Sequence, residues 1–545
     1  MDRFSLTRFL PLTKISAAAS RVYFQYLIIA LLCATFTVGA VAAFPEFDDG
    51  YLMLILKERG VSAILSAHPD RPLVGWIWQV LATVFGSHFW AFGFLSHLAL
   101  WTILGIQASL LWNRMFPELM RYGGVIGCLT VAPIVVQVQL STVTITLLGL
   151  LSAVLGYGAI LLIFTFIGKA SRSAFVLGLM LLSGGILVSE YAVPVTAVAL
   201  ILFLRLYLYD DNRETKARAL KASIAVLGVA FLACLAFLIV QRTRARVEVS
   251  PEFPLHNPRL ILSYPLALVT QLWRVTFGVY GRTMSNITLS WGEKSSIIAT
   301  AYGLVTALLL VLCSWEHPSE LKLRLRELLF LLLVLVVGLT PIALMRPYFS
   351  APFDTRFHIP VLPIAAMVTA WVSLTVVRAQ ARSAVVGLLG MFIGMAVFTE
   401  SWAAYGRQKL MRSLGEAIKP YVRSTDGVTV AVLSSTQFCD SGIFCTAKAT
   451  DNWPAELSRK FWLLTTENAS AEIGDRTSHS SVSEIHETIR VGTTILREGQ
   501  IKKTLWIQMR DGEVSIEPYY FRDRPLLADP GVAQTLTVLQ PSGRK

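Results

Sequence analysis

Long apolar runs separated by short polar segments fill the first three quarters of the chain. Their spacing predicts about eleven helical spans. These are Val22–Phe44, His88–Trp112, Tyr122–Val138, Thr142–Ile167, Ala174–Ser189, Tyr191–Tyr209, Ala222–Val240, Ile297–Trp315, Leu328–Leu344, Ile359–Val377 and Ala384–Trp402. Runs of about 20 apolar residues match the thickness of a bilayer's hydrocarbon core, where a helix satisfies its own backbone groups. The fifth and sixth spans are short and meet at Glu190, so a re-entrant pair is the alternative there. The first run carries an A-x-A-like segment, "VGAVAAF". It is longer than a signal-peptide core and more spans follow, so it reads as a retained helix.

Two further helices are predicted between the first and second spans. From Gly50 to Ile64 apolar residues recur with helical spacing, which suits an amphipathic helix lying on the bilayer surface. The stretch "RPLVGWIWQVLATVFG", with Trp76 and Trp78, reads as a second such helix. Beyond Trp402 the pattern changes. The tail is polar; "GVTVAVLSS" and "KFWLLTT" read as buried strands, and "TLWIQMRDGEVSIEPYYF" reads as two strands flanking a hairpin turn at Asp511-Gly512. The expected organisation is a short N-terminal segment (1–21), a membrane module (22–402) with outer loops 45–87 and 241–296, and an α/β domain outside the membrane (403–545). No internal repeat of useful length is visible.

Composition removes the soluble classes. The 545-residue chain is 54% hydrophobic and only 15% charged, where soluble domains hold about a quarter charged residues. The net charge of +13 does not indicate a nucleic-acid partner, because Lys and Arg fall in short loops between the apolar runs. Arg3, Arg8, Lys14 and Arg21, then Arg114 and Arg121, then Lys169 and Arg172, mark alternate loops. Arg205, Arg213, Lys216, Arg218 and Lys221, then Lys322, Arg324 and Arg326, then Arg378 and Arg382 continue the alternation. Positive charge stays on the cytoplasmic side. The N-terminus is therefore expected in the cytoplasm, and an odd span number puts the tail on the opposite side.

Of six cysteines, Cys33, Cys128, Cys234 and Cys313 lie within apolar runs and read as packing residues. Cys439 and Cys445 lie in the polar tail, where an oxidising compartment would allow a disulfide; two free thiols are the alternative. No Cys or His spacing suits zinc.

Three polar clusters could carry chemistry. The first, "FPEFDDGYLMLILKERGVSAILSAHPDRPL", opens with the adjacent carboxylates Asp48 and Asp49 and also holds His68 and Arg71. The pair could simply be the solvated end of a helix, but two reclining helices flank it, which favours a site. The second is the loop 241–296, with Arg242, Arg244, Arg246, Arg259, Arg274 and Arg282. It faces away from the cytoplasm, so the positive-inside rule does not explain its charge. Arginine forks suit phosphate oxygens, and headgroup contact is the plainer alternative. The third, "RPYFSAPFDTRFHIPVLP", brings Asp354, Arg356 and His358 to the membrane boundary, where charge usually has a partner or a task. No P-loop, dinucleotide fingerprint, HExxH or GxSxG motif is present. Asn286 and Asn468 match the glycosylation acceptor pattern, which is common by chance.

Order and topology of these clusters resemble the GT-C superfamily of integral-membrane glycosyltransferases, in particular bacterial relatives of protein mannosyltransferases and aminoarabinose transferases. The acidic pair of that family corresponds to Asp48-Asp49-Gly50-Tyr51, with Asp where Glu is more frequent. A His-Pro…Pro-Leu segment corresponds to His68-Pro69-Asp70-Arg71-Pro72-Leu73, and an Arg-aromatic-x-x-Pro-x-x-Pro pattern to Arg356–Pro363. The resemblance covers residues 1 to 402. It implies a GT-C-like polytopic enzyme in the bacterial inner membrane, with the tail in the periplasm. It implies sugar transfer, with inversion, from a polyprenyl-phosphate carrier to a hydroxyl of a lipid, glycan or protein. Asp48 would be the general base and Asp49 its neighbour. Tyr51, His68 and Arg71 would face the substrate. Arg244, Arg259, Arg274, Arg282 and Arg356 would hold the lipid phosphate. Some relatives bind a divalent metal at the first-loop acids; the residues here leave that open. The rival readings are a polyprenyl-lipid transporter or flippase and an envelope scaffold. A flippase usually shows charge in mid-span, and eleven spans are excessive for an anchor.

Overall fold

The computed structural model describes residues 15–35, 60–62, 73–86, 89–132, 143–240, 258–278, 294–314, 325–345, 358–375, 377, 381–399 and 401–402, together with seven strands of the tail. The chain divides into two compact units. The first comprises Met1–Thr37, Ile64–Gln139 and Val143–Glu400; the second comprises Val38–Ala63, Leu140–Thr142 and Ser401–Lys545.

The first unit is helical. Its helices are α1 (Ile15–Thr35), α2 (Val74–Phe85), α3 (Phe89–Met115), α4 (Gly123–Val131), α5 (Val143–Lys169), α6 (Arg172–Val188) and α7 (Ala192–Tyr209). They continue with α8 (Arg213–Val240), α9 (Pro258–Trp273), α10 (Lys294–Ser314), α11 (Leu325–Met345), α12 (Leu362–Thr375) and α13 (Arg382–Thr399). Among the described residues eight helices are long and apolar enough to cross a membrane. The protein is a multi-pass helical membrane protein.

The sequence reading expected eleven spans, and each falls on a described helix. The first, third and fifth fall short of the length criterion: the apolar part of α1 is Val22–Thr35, α4 has 9 residues and α6 has 17. The loop 241–296 also differs from expectation, because it contains a helix, α9. The stretch "VGWIWQVLATVF" forms α2, as its spacing suggests. It buries Val74, Trp78 and Ala82 and exposes Trp76, Val80 and Val84.

Local sequence explains several boundaries. The Asn212 side-chain oxygen accepts from the backbone N–H of Glu214 at 2.9 Å, and Asp210 accepts from Asn212 N at 2.8 Å. That cap starts α8 with only three residues between it and the end of α7. Ser171 caps α6 through Ala174 N. Just before it Ala170 turns the chain with φ of 56°, a left-handed conformation that L-residues disfavour.

Burial distinguishes otherwise similar spans. In α5 and α12, 72% and 78% of the apolar stretch is buried, against 12% in α8. Helices α5 and α12 are central, and α8 lies at the edge with Leu227 and Phe231 facing outward. Glycines permit the closest approaches. A Cβ on Gly105 of α3 would lie 2.8 Å from Ile29 of α1, and one on Gly394 of α13 would lie 2.8 Å from the Gly303 Cα of α10. Small residues at such crossings let backbones meet where the hydrophobic effect gives little drive.

The ends of the helices sort by charge. Arg114 at the end of α3 donates to the Leu161 carbonyl and to Thr165 Oγ1 of α5. Arg205 of α7 pairs with Glu327 of α11, with Phe330 stacked on the guanidinium. Gln25 of α1 donates to the Met120 and Arg121 carbonyls beyond α3, at 3.3 and 3.1 Å. Trp371 of α12 meets Trp112 of α3. Phe164 of α5 meets Phe203 of α7 at 5.5 Å, so the Arg-bearing ends of α3, α7 and α11 lie at one end of the bundle, the basic end.

In the second unit the described residues of the tail are strands, apart from Ser401 and Trp402. β1 (Val428–Ser434), β5 (Ile501–Arg510), β6 (Glu513–Pro518) and β7 (Gln534–Leu539) form a sheet in the order β6-β5-β1-β7. β1 runs parallel to β5 and antiparallel to β7. β5 and β6 pair antiparallel with Arg510 opposite Glu513, a register that leaves Asp511-Gly512 as the link. β2 (Glu484–Ile485), β3 (Thr488–Val491) and β4 (Thr494–Arg497) form a second, antiparallel sheet. The segment "KFWLLTT" lies outside the described residues.

Candidate functional site

Helix α9 starts on Pro258, whose missing N–H is harmless in a first turn. Ala267, Gln271 and Val275 recur every four residues and form its buried face, while Leu266, Val269 and Trp273 point outward. Gln271 thus occupies a position where the periodicity calls for an apolar residue. After Trp273 the helix widens into a π turn, Arg274–Gly278, a feature that re-aims side chains and often marks functional sites. Arg274 opens that turn and is half-buried.

His358 approaches from the other side. It begins a short 3-10 turn that leads into α12, and it is 1% exposed. Its Nε2 lies 2.6 Å from Gln271 Oε1, and Gln271 is itself completely buried. Because an amide oxygen only accepts, the His358 Nε2 carries the proton of this bond. Two residues on, the Pro360 carbonyl accepts from the Tyr157 hydroxyl at 2.8 Å. Tyr157 sits near the midpoint of the 27-residue α5, so this segment joins the bundle far from either helix end. Arg274 stands within electrostatic reach of the His358 ring. The Gln271 Nε2 amide is buried and has no hydrogen-bond partner among the described residues.

Two stretches that the sequence singled out separately are therefore joined. Loop 241–296 supplies Gln271 and Arg274, and the segment before the tenth expected span supplies His358. Arg259 lies within α9. Asp48, Asp49, Tyr51, His68, Arg71, Arg244, Arg282 and Arg356 lie outside the described residues, as do Cys439 and Cys445. The acids where the resemblance would put a metal are among them. Among the described residues no group of three or more His, Cys, Asp or Glu side chains could hold a metal ion.

Sequence reasoning noted His358 but overlooked Gln271 and Tyr157. The signal for Gln271 was its place on the apolar stripe of α9. Tyr157 carried none, since one tyrosine in an apolar span is ordinary. His97, also overlooked, is fully buried in α3 and accepts from Trp101 Nε1 at 2.9 Å, one turn away. At the end of α5 opposite its Arg114 contact, the α6–α7 turn places Glu190, whose carboxylate accepts from Ser189 Oγ at 3.1 Å. Ser152 of α5 ties that turn down by donating to the Gly185 and Ser189 carbonyls, at 2.9 and 3.1 Å. Comparison with family models, with curated proteins and with solved structures gives no match.

Proposed function

We propose that the protein is a membrane glycosyltransferase of GT-C type, transferring a sugar from a polyprenyl-phosphate carrier to an acceptor hydroxyl. The observation that carries this reading is the meeting of Gln271, Arg274 and His358. They belong to two of the three polar clusters on which the family resemblance rests: a buried imidazole–amide pair with a half-buried guanidinium within electrostatic reach. Such a centre suits an anionic leaving group whose charge grows as the bond to the sugar breaks.

The reaction is a single displacement. The acceptor O–H gives its proton to Asp48, and the acceptor oxygen forms a new bond to the anomeric carbon with inversion. The bond from that carbon to the lipid-phosphate oxygen breaks, and the phosphate leaves with the electron pair. Arg274, with Arg244, Arg259, Arg282 and Arg356, neutralises that charge. Tyr51, His68 and Arg71 line the substrate side. The N-terminus lies in the cytoplasm of a bacterium, the membrane is the inner one, and the tail is an α/β domain in the periplasm with Cys439 and Cys445 paired. Support for this orientation comes from the Arg-bearing helix ends, which share one end of the bundle as the positive-inside rule requires.

Mass spectrometry of cell-envelope glycans tests the reading. Asp48→Asn should lower transfer by about 10²–10⁴-fold, the usual worth of a general base, with the protein still accumulating in the membrane. Normal transfer in the double variant Asp48→Asn/Asp49→Asn overturns it.

A further inference from the structure

Three helices bring cations together at the basic end. Phe166, near the end of α5, stacks on Phe175 of α6 with ring centroids 4.4 Å apart. The Lys221 ammonium of α8 stands 5.9 Å from the Phe175 ring. Three residues from each member of this stack, one turn nearer the basic end, lies a further cation: Lys169 after Phe166, Arg172 before Phe175 and Arg218 before Lys221. Positions three apart are neighbours on a helix surface, so four cations from three helices share one small area. The short α5–α6 turn through Ala170, capped by Ser171, keeps Lys169 and Arg172 close together. Glu214 lies 3.8 Å from Arg218 but is itself 82% exposed. Arg172 and Lys221 have no ion-pair partner among the described residues. The positive-inside rule asks for basic residues at one end of the spans, but not that they converge on one aromatic pair.

We propose that this patch binds the headgroup of an anionic phospholipid, held at a fixed place between α6 and α8. Charge chooses the headgroup, because arginine and lysine donors match phosphate oxygens. The surface that continues from the cations chooses the rest of the molecule. On α6 the exposed positions Arg172, Val176 and Met180 follow one another at four-residue spacing. On α8 Lys221, Ile224, Gly228 and Phe231 share one exposed face, and nothing lies within 4 Å of where a Gly228 side chain would begin. Each line therefore starts at a cation and runs on as apolar surface along the same face, as a headgroup with acyl chains requires. A soluble polyanion would find the cations but leave those lines unused. The patch includes none of the residues of the α9–α12 centre, and it stands whether or not the protein transfers sugar.

The probes are dioleoyl-phosphatidylglycerol and, with the same chains and no net charge, dioleoyl-phosphatidylcholine. Each is titrated into the purified full-length protein in a non-ionic detergent, and native mass spectrometry reads the bound lipid. The wild type should hold the anionic lipid at least about tenfold more tightly, since each Lys or Arg near anionic headgroups is worth about fivefold. Arg172→Gln/Lys221→Gln, at two exposed positions, should remove most of that preference and leave phosphatidylcholine binding unchanged. Lys216→Gln/Arg326→Gln is the control. It removes the same charge at the same end, from the far side of α8 and from α11, and should keep the preference. Each single variant, Arg172→Gln or Lys221→Gln, should lose about fivefold and carries the test if the double variant fails to accumulate. Equal binding of the two lipids by the wild type overturns the site. Equal losses in the two double variants also overturn it, because they would show diffuse attraction to the whole basic end.

Discussion

Gly123 opens α4 with three side-chain oxygens packed against its Cα. A Cβ there would lie 2.6 Å from Asn113 Oδ1, 2.7 Å from Ser109 Oγ and 3.1 Å from Gln25 Oε1. All three oxygens are buried and have no hydrogen-bond partner among the described residues, so they can gain only weak C–H contacts at this glycine. Gly123→Ala should destabilise the protein by about 1–3 kcal/mol, the usual cost of overpacking. Gly184→Ala is the control, because nothing lies within 4 Å of that position. Thermal unfolding in detergent should separate the two, with a lower midpoint for Gly123→Ala only. Gln271 teaches the same lesson at another residue. Its chemistry comes from the stripe on which it sits, and its identity alone said nothing.

Among the elements, the α5–α6 connection and the α10–α13 crossing make opposite demands on glycine. Ala170 holds a left-handed φ of 56°. Ala170→Gly removes that strain and should stabilise the protein by about 1 kcal/mol, seen as a raised unfolding midpoint. At the crossing, glycine is already present and necessary. A Cβ on Gly390 would meet the Ala307 Cα at 2.7 Å, and one on Gly394 would meet Thr306 Oγ1 at 2.6 Å. The sequence "GMFIG" at 390–394 is thus a small-xxx-small face. Gly390→Leu should push α13 away from α10. A cysteine pair placed across this contact should lose its disulfide yield in that variant, and unchanged yield would show that the helices do not depend on the glycine.

For the whole molecule, orientation is the open quantity that one measurement fixes. Arg114 and Thr165 share the basic end of α3 and α5, and Arg205 and Glu327 share that of α7 and α11. If positive charge stays inside, a reporter fused after Lys545 should be active only on the outer face, and one inserted at Arg218 only in the cytoplasm. A C-terminal reporter active in the cytoplasm would refute the odd span number and point to the short α6–α7 pair around Glu190 as the source of the error.

The positions of the spans were legible because hydropathy is a local property: a run of about 20 apolar residues reports its own helix whatever surrounds it. Even α1, α4 and α6, which fall short of the spanning-length criterion among the described residues, begin within their predicted stretches or a few residues before them. The antiparallel pairing of β5 with β6 was legible for the same reason, since a hairpin signal such as Asp511-Gly512 is written in two neighbouring residues. Which helix lies at the centre was not legible. Lipid and protein interior are both apolar, so α5, deeply buried, and α8, mostly exposed, read alike in the sequence. Nor could the sequence join Gln271 to His358, 87 positions apart. That bond exists because α9 turns one polar position toward the start of α12. A residue's partner across such a distance is set by the packing of the whole bundle, to which no local pattern has access.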